Sequence, residues 1–192
     1  YNVVSSVQVA LGVNADMKDY PLINSFGCKP FTCGKSEIYG LGYKGFSYEP
    51  NFAPAGHAVL VLELGQDYFD YEFWEPLAKD REAYRAEKER LAREVVLRME
   101  EHFPELAGKI TALDVATPAT YHRYTGAWRG AWMAFMPSPG SKGMMHSGKI
   151  EGLSNCYLTG QWLMPPGGLP CAAMTGRFAV QRIAKKEGQK IR

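Results

Sequence analysis

Leu153-Ser-Asn-Cys-Tyr-Leu-Thr-Gly-Gln-Trp-Leu-Met-Pro-Pro-Gly-Gly-Leu-Pro-Cys-Ala-Ala-Met-Thr-Gly176 reads as a strand, a tight glycine turn and the start of a helix. Asn155 to Thr159 is a short apolar run closed by Gly160. Gly167-Gly168 then lets the backbone approach a ligand closely, just where Pro170 can occupy the first helical turn. The helix is predicted from about Leu169 to Lys186. Its first turn presents unpaired N–H groups and a partial positive charge, which favours an electron-rich or anionic group in front of it. On local physics alone, a plain strand-loop-helix connection has the same signature.

The segment Gly160-Gln-Trp-Leu-Met-Pro-Pro-Gly-Gly-Leu-Pro-Cys-Ala-Ala-Met-Thr-Gly176 resembles the C-terminal flavin signature of the phytoene desaturase, carotenoid isomerase and retinol saturase family of FAD-dependent oxidoreductases. Asp114-Val-Ala-Thr-Pro-Ala-Thr-Tyr-His-Arg-Tyr-Thr-Gly126 is similar to that family's Thr-Pro helix with its Arg-Tyr-Thr-Gly ending. Phe52-Ala-Pro-Ala-Gly-His-Ala-Val-Leu-Val-Leu62 is similar to its strand after an Ala-Pro-x-Gly turn. The three segments keep the family's order and together span most of the chain.

The resemblance implies that the full protein moves hydrogen to or from carbon-carbon double bonds of a carotenoid- or retinoid-like polyene lipid, or isomerises them. It implies FAD contacts at Gly160, Gln161, Gly167, Gly168, Leu169 and Pro170. Gln161 stands where the family commonly has an acidic residue; its amide can still hydrogen-bond a ribityl hydroxyl. Tyr121, Arg123 and Tyr124, with Trp128, Trp132 and Trp162, are the candidate substrate-binding residues. No catalytic acid or base is legible.

The chain starts at Tyr1 without Met, so the expectation is a C-terminal portion of a longer flavoenzyme. Residues 1–120 would then be a substrate-domain segment, and residues 121–192 would complete the FAD-binding domain. The rest of that domain would be the main partner, and FAD is not expected to stay on this chain alone. The one literal Gly-x-Gly-x-x-Gly, Gly40-Leu-Gly-Tyr-Lys-Gly45, is not a dinucleotide fingerprint: Pro50 and Pro54 stand where a helix should open. The glycines read instead as a turn between strands. Two other readings stay open, an amine-oxidase-type flavoenzyme and a non-catalytic module that holds an apolar ligand or partner.

Composition excludes several classes. The 192 residues suffice for one domain, or one with a fragment of another, and the net charge of +2 spreads bases among acids, which argues against nucleic acid. The basic tail Lys185 to Arg192 reads as a solvated end. No apolar run is long enough to span a bilayer, and no signal peptide is visible. The expected location is cytoplasmic, with peripheral membrane contact as the means of reaching a lipid. Cys28, Cys33, Cys156 and Cys171 lack paired spacing, so no metal site is expected, and zinc at Cys28 and Cys33 would lack a second ligand pair. His57, His102, His122 and His146 are scattered.

Along the chain, Val3 to Leu11 alternates as a half-buried strand, with Val7, Val9 and Leu11 on one face. Ser36 to Leu41, Phe46 to Tyr48 and Ala58 to Leu64 are further strand candidates. From about Pro76 to His102 the period is helical, with Leu77, Tyr84, Leu91, Val95 and Met99 on one face and favourable i to i+4 pairs at Glu75 and Lys79, Glu89 and Arg93, and Glu94 and Arg98. Ile110 to Val115 reads as a strand, after which Thr117 caps a short helix that Gly126 stops. Trp128, Trp132, Met133, Phe135, Met136, Met144 and Met145 lie in a Gly-, Pro- and Ser-rich stretch that can line an apolar cavity or cover a core. The fold class is therefore α+β: a mixed, largely antiparallel sheet with a long packed helix, then a C-terminal strand-loop-helix of a Rossmann-like FAD domain.

Overall fold

The computed structural model describes residues 2–141 and 145–189, so Met144 and the tail beyond Gln189 lie outside the described residues. It divides into two compact units, Ser5–Gly130 and Tyr1–Val4 with Ala131–Arg192. The fold is α+β with a largely antiparallel sheet and a C-terminal helix, as the sequence predicts.

The strands β1 (Asn2–Val13), which enters the first unit at Ser5, β2 (Ile23–Cys33), β3 (Ser36–Gly45), β4 (Ala58–Asp67) and β5 (Ile110–Ala116) are ordered β2-β3-β4-β1-β5. The helices are α1 (Tyr71–Leu77), α2 (Arg81–His102) and α3 (Pro118–Thr125). Alternation in β1 places Val7, Val9, Leu11 and Val13 in one core with Leu60, Leu62 and Leu64 of β4 and with Leu91, Val95 and Met99 of α2. Each such side chain removed from water contributes about 1.5–3 kcal/mol, which is why the long charged helix lies on the sheet. Asp80 begins α2 by accepting from the N–H groups of Glu82 and Ala83, both at 3.1 Å. The helix expected from Pro76 is thus two helices, with Pro76 inside α1. Of the three expected pairs, Glu94–Arg98 forms at 3.1 Å. Glu75–Lys79 and Glu89–Arg93 are not among the ion pairs of the described residues, their solvated side chains gaining little from pairing.

Strand β2 is an addition to the sequence reading. It is an edge strand whose register shifts between Gly27 and Phe31, around Pro30. Arg90 and Arg98 of α2 donate to its Thr32 and Lys29 carbonyls at 2.8 and 3.0 Å, which occupies backbone acceptors on an edge that would otherwise invite another strand. Gly40, Gly42 and Gly45 lie within β3 rather than in a turn. A Cβ on Gly40 would stand 2.9 Å from the Phe26 carbonyl oxygen, so close strand approach explains that glycine. Phe46 to Tyr48 is a turn, with Phe46 stacked on Phe52 at 4.4 Å. Cys28 and Cys33 both lie on β2, and burial pushes the Cys33 thiol far above the usual range. Among the described residues no three His, Cys, Asp or Glu side chains are placed to hold a metal ion, and no helix is long and apolar enough to cross a membrane.

The β2–β3 turn is fixed by a buried polar knot. The Asp70 carboxylate accepts from the Ser36 hydroxyl at 2.7 Å and from the main-chain N–H groups of Lys35 and Asp67. Beside it the Gln66 amide donates to the Cys33 carbonyl at 3.0 Å and accepts from the Trp74 indole N–H at 2.8 Å. Asp70→Ala strands three donors at once, and one stranded buried group costs about 1–3 kcal/mol. The expected loss is therefore about 3 kcal/mol or more by urea denaturation of the chain. A loss below about 1 kcal/mol would show that water replaces the carboxylate.

Candidate functional site

The candidate site is built in the second unit by β7 (Lys149–Ile150), β8 (Leu153–Tyr157) and α4 (Gly168–Lys186); β6 (Phe135–Met136) pairs with Asn2 and Val3 of β1 in the same unit. β7 and β8 form an antiparallel hairpin. The chain leaves β8, makes one short 3-10 turn at Gln161–Leu163, and passes through a cis Pro165–Pro166 bond into α4. Gly160, Gly167 and Gly168 have φ of 119°, 89° and 81°, a region that disfavours any residue with a Cβ.

Side chains then lock this turn onto the helix. Thr175, on the second turn of α4 and only 4% exposed, accepts from the Gly160 N–H at 2.9 Å. Its own hydroxyl lies 3.1 Å from the Gly160 carbonyl and 3.0 Å from that of Ala172. Gln161 Oε1 accepts from the Gly168 N–H at 3.0 Å. Gln161 therefore serves as the cap of α4, satisfying one of the donors that a helix start leaves open. Its Nε2 remains a donor. The Ala134 N–H donates to the Pro166 carbonyl at 3.0 Å, and a Cβ on Gly167 would lie 2.6 Å from Ala134 N. The smallness of Gly167 is thus used by the fold itself.

The adjoining glycines are open. A Cβ on Gly160 would meet nothing within 4 Å, and one on Gly168 would make only ordinary contacts, 3.7 Å to Met133 and 3.8 Å to Pro170. Leu169 is 87% exposed at the helix tip, and Trp162 beside Gln161 is also exposed. Pro170 has no N–H, so Leu169 supplies the next main-chain donor of the first turn. The tip of α4 offers a helix-start dipole, two open glycines and apolar surface in one place. That arrangement can receive a flat, partly apolar group with an electron-rich edge.

The other predicted residues are divided between the units. Tyr121, Arg123 and Tyr124 lie on α3, and Trp128 in the 3-10 turn Trp128–Gly130 that follows, all in the first unit. Thr117 caps α3 through the Thr120 N–H, and Gly126 ends it in the left-handed conformation. The Tyr121 hydroxyl lies 3.3 Å from Ser6 Oγ, and burial raises its pKa, which keeps it a neutral phenol. Tyr124 is 75% exposed, with the Arg123 guanidinium 4.6 Å from its ring centre. Trp128 is exposed beside Arg129. Trp132 and Trp162 are exposed in the second unit with the six glycine-turn residues. Sequence reasoning missed Thr175 and Ala134. A mid-helix threonine and a lone alanine carry no local signal; only the tertiary contact reveals them.

The chain is similar to the chloroplastic prolycopene isomerase of Arabidopsis thaliana, 28% identical over 145 residues that cover 73% of this chain and 23% of that protein. The chloroplastic prolycopene isomerase of Daucus carota is also 28% identical over 145 residues, covering 73% of this chain and 22% of that protein. The chain thus spans less than a quarter of the length of the curated relatives it matches. No family model matches the chain.

Proposed function

We propose that this chain is the C-terminal segment of a flavin-dependent oxidoreductase that desaturates, saturates or isomerises the carbon-carbon double bonds of a polyene lipid. The observation that carries this reading is the similarity to two prolycopene isomerases over 145 residues. The geometry at the start of α4 supports it. Gly160 and Gly168 are open to a flat group, Leu169 is exposed over the helix tip, and Gln161 Nε2 is free to donate while its Oε1 holds the helix start. These residues would hold FAD, with Gly167 and Pro170 shaping the turn. FAD, when bound, supplies the hydrogen-transfer chemistry.

The chain's own contribution is orientation and electrostatics. The α4 dipole stabilises negative charge placed before it. Trp162 and Trp132 provide apolar surface that excludes water, while Tyr121, Arg123, Tyr124 and Trp128 form the substrate-binding group. Residues 1–120 serve as the substrate-domain segment, and residues 121–192 complete the FAD domain. Leu169, Ala173, Gly176, Val180 and Ile183 form an apolar stripe on α4 open to solvent. A helix that completes a larger fold presents such a surface, so the rest of the polypeptide is the partner that covers it. The relatives are named as chloroplastic, and a peripheral membrane contact would give this protein access to its lipid.

The test is a flavin titration of the full-length polypeptide, with circular dichroism to follow folding. The parent should bind FAD stoichiometrically, and the isolated chain should be colourless. Gly168→Ala places a Cβ where the flat group would rest and should weaken FAD at least tenfold, about 1.4 kcal/mol, while the fold persists. Gln161→Ala removes one hydrogen bond and should cost about 0.5–1.5 kcal/mol of stability, with a smaller effect on FAD. A full-length protein without flavin affinity, or a folded Gly168→Ala variant that binds like the parent, rejects the assignment.

A further inference from the structure

At the other end of α4, a groove of about 730 Å³ opens between the β7–β8 hairpin and the last turns of the helix. Lys149, Arg182, Lys185 and Lys186 line it, and no acidic residue does. Two of these cations are anchored, but only on neutral acceptors. Arg182 donates to the Ser147 carbonyl, and Lys186 to the Ser154 carbonyl and to Asn155 Oδ1. Among the described residues, Lys149 and Lys185 have no anionic partner. Four like charges around one groove repel one another, and an anion bound among them relieves that repulsion. The negative end of the helix dipole accounts for Lys185 and Lys186, which stand in the last turn. It accounts for neither Lys149 on β7 nor Arg182.

Ile150, Leu153 and Tyr157 add apolar lining to the same groove. Its volume falls in the range of small-molecule sites. Lys185 is 17 residues beyond Gly168, roughly 26 Å along the helix at 1.5 Å per residue, so the groove is separate from the candidate flavin site. At 3.6 residues per turn, Arg182 and Lys185 also lie roughly 140–160° and Lys186 roughly 100° around α4 from the centre line of the Leu169–Ile183 stripe. Covering that stripe leaves the groove accessible.

We infer that this groove binds a phosphorylated small amphipath. A head bearing two or three negative charges sits among Lys149, Arg182, Lys185 and Lys186, and an apolar or aromatic body rests on Ile150, Leu153 and Tyr157. A single carboxylate would leave most of the positive charge unopposed, which favours a phosphate monoester or diphosphate.

The experiment uses the full-length polypeptide at low ionic strength. Octyl phosphate below its micellar concentration and inorganic pyrophosphate are titrated by calorimetry, and phosphatidylcholine vesicles with and without phosphatidic acid are tested by cosedimentation. One octyl phosphate should bind per chain, more tightly than pyrophosphate, and less tightly as salt is raised. Lys149→Ala and Lys185→Ala should each weaken binding about tenfold, the effect of losing one charge-assisted hydrogen bond. Lys109→Ala should leave it unchanged. Cys156, exposed in the groove, is a local reporter whose alkylation bound ligand should slow. Lysine-dependent binding in solution identifies a free molecule as the phosphate source, and lysine-dependent binding to acidic vesicles alone identifies a lipid headgroup; both uphold the site. No binding in either arm, or binding that both lysine variants retain, overturns it.

Discussion

Gly130→Ala should destabilise the unit Ser5–Gly130 by about 4 kcal/mol or more, the largest effect expected of any single methyl group added there. Gly130 has φ of +62°, and a Cβ on it would lie 2.0 Å from the Pro118 carbonyl oxygen and 2.5 Å from its carbonyl carbon. Neither atom belongs to a flexible side chain. Pro118 is the first residue of α3, fixed by the Thr117 cap. Gly130 is fixed too: its N–H donates to the Ala127 carbonyl at 3.0 Å, and its carbonyl accepts the Ser5 hydroxyl of β1. Relief requires either α3 or the Trp128–Gly130 turn to move. Movement of the turn also breaks the Arg129 contacts to the Tyr68 carbonyl at 3.2 Å and to Glu72 at 3.3 Å. Urea denaturation and the near-ultraviolet dichroism of the neighbouring tryptophan measure the effect. A loss under about 1 kcal/mol would mean that α3 is free to shift, and the proposed group of Tyr121, Arg123 and Tyr124 would then lack a fixed geometry.

The sequence made legible those elements whose own residues determine them. Alternation identified β1 because every second side chain of that central strand enters the core. Thr117, Pro118 and Gly126 marked α3 because a cap, a first-turn proline and a left-handed stop act locally. Pro170 and the paired glycines located the start of α4 for the same reason. β2 was hidden because its extended form comes from pairing with β3 and from the arginines of α2, while Gly27 and Pro30 within it resemble a turn. Phe46 to Tyr48 looked like a strand because aromatic residues favour sheets, yet Phe46 is used in stacking on Phe52. At the candidate site the glycine turn was legible and its two supports were not. Thr175 reaches Gly160 across 15 residues, and Ala134 meets Gly167 across 33, so no local pattern encodes either contact.

Gly167→Ala separates the structural half of the glycine turn from its proposed binding half. With φ of 89° and ψ of −149°, Gly167 occupies a region that is essentially closed to other residues. A Cβ would also stand 2.6 Å from Ala134 N and 2.8 Å from Ala134 Cβ, and Ala134 is fully buried with its N–H donated to the Pro166 carbonyl. Strain and clash fall on one residue, and relieving the clash breaks that hydrogen bond. The expected cost is about 3–5 kcal/mol, with amide exchange speeding up through the first turns of α4. Gly168→Ala carries backbone strain of about 1–3 kcal/mol but meets no close protein atom. In the full-length polypeptide both variants should lose flavin, for different reasons: Gly167→Ala together with protection of α4, Gly168→Ala with α4 intact. Loss of α4 protection in both would assign the whole turn to folding. Retention of flavin by Gly168→Ala would leave the open tip of α4 without a ligand. Only loss of flavin on a protected helix supports a turn in which one glycine closes against Ala134 and its neighbour faces the cofactor.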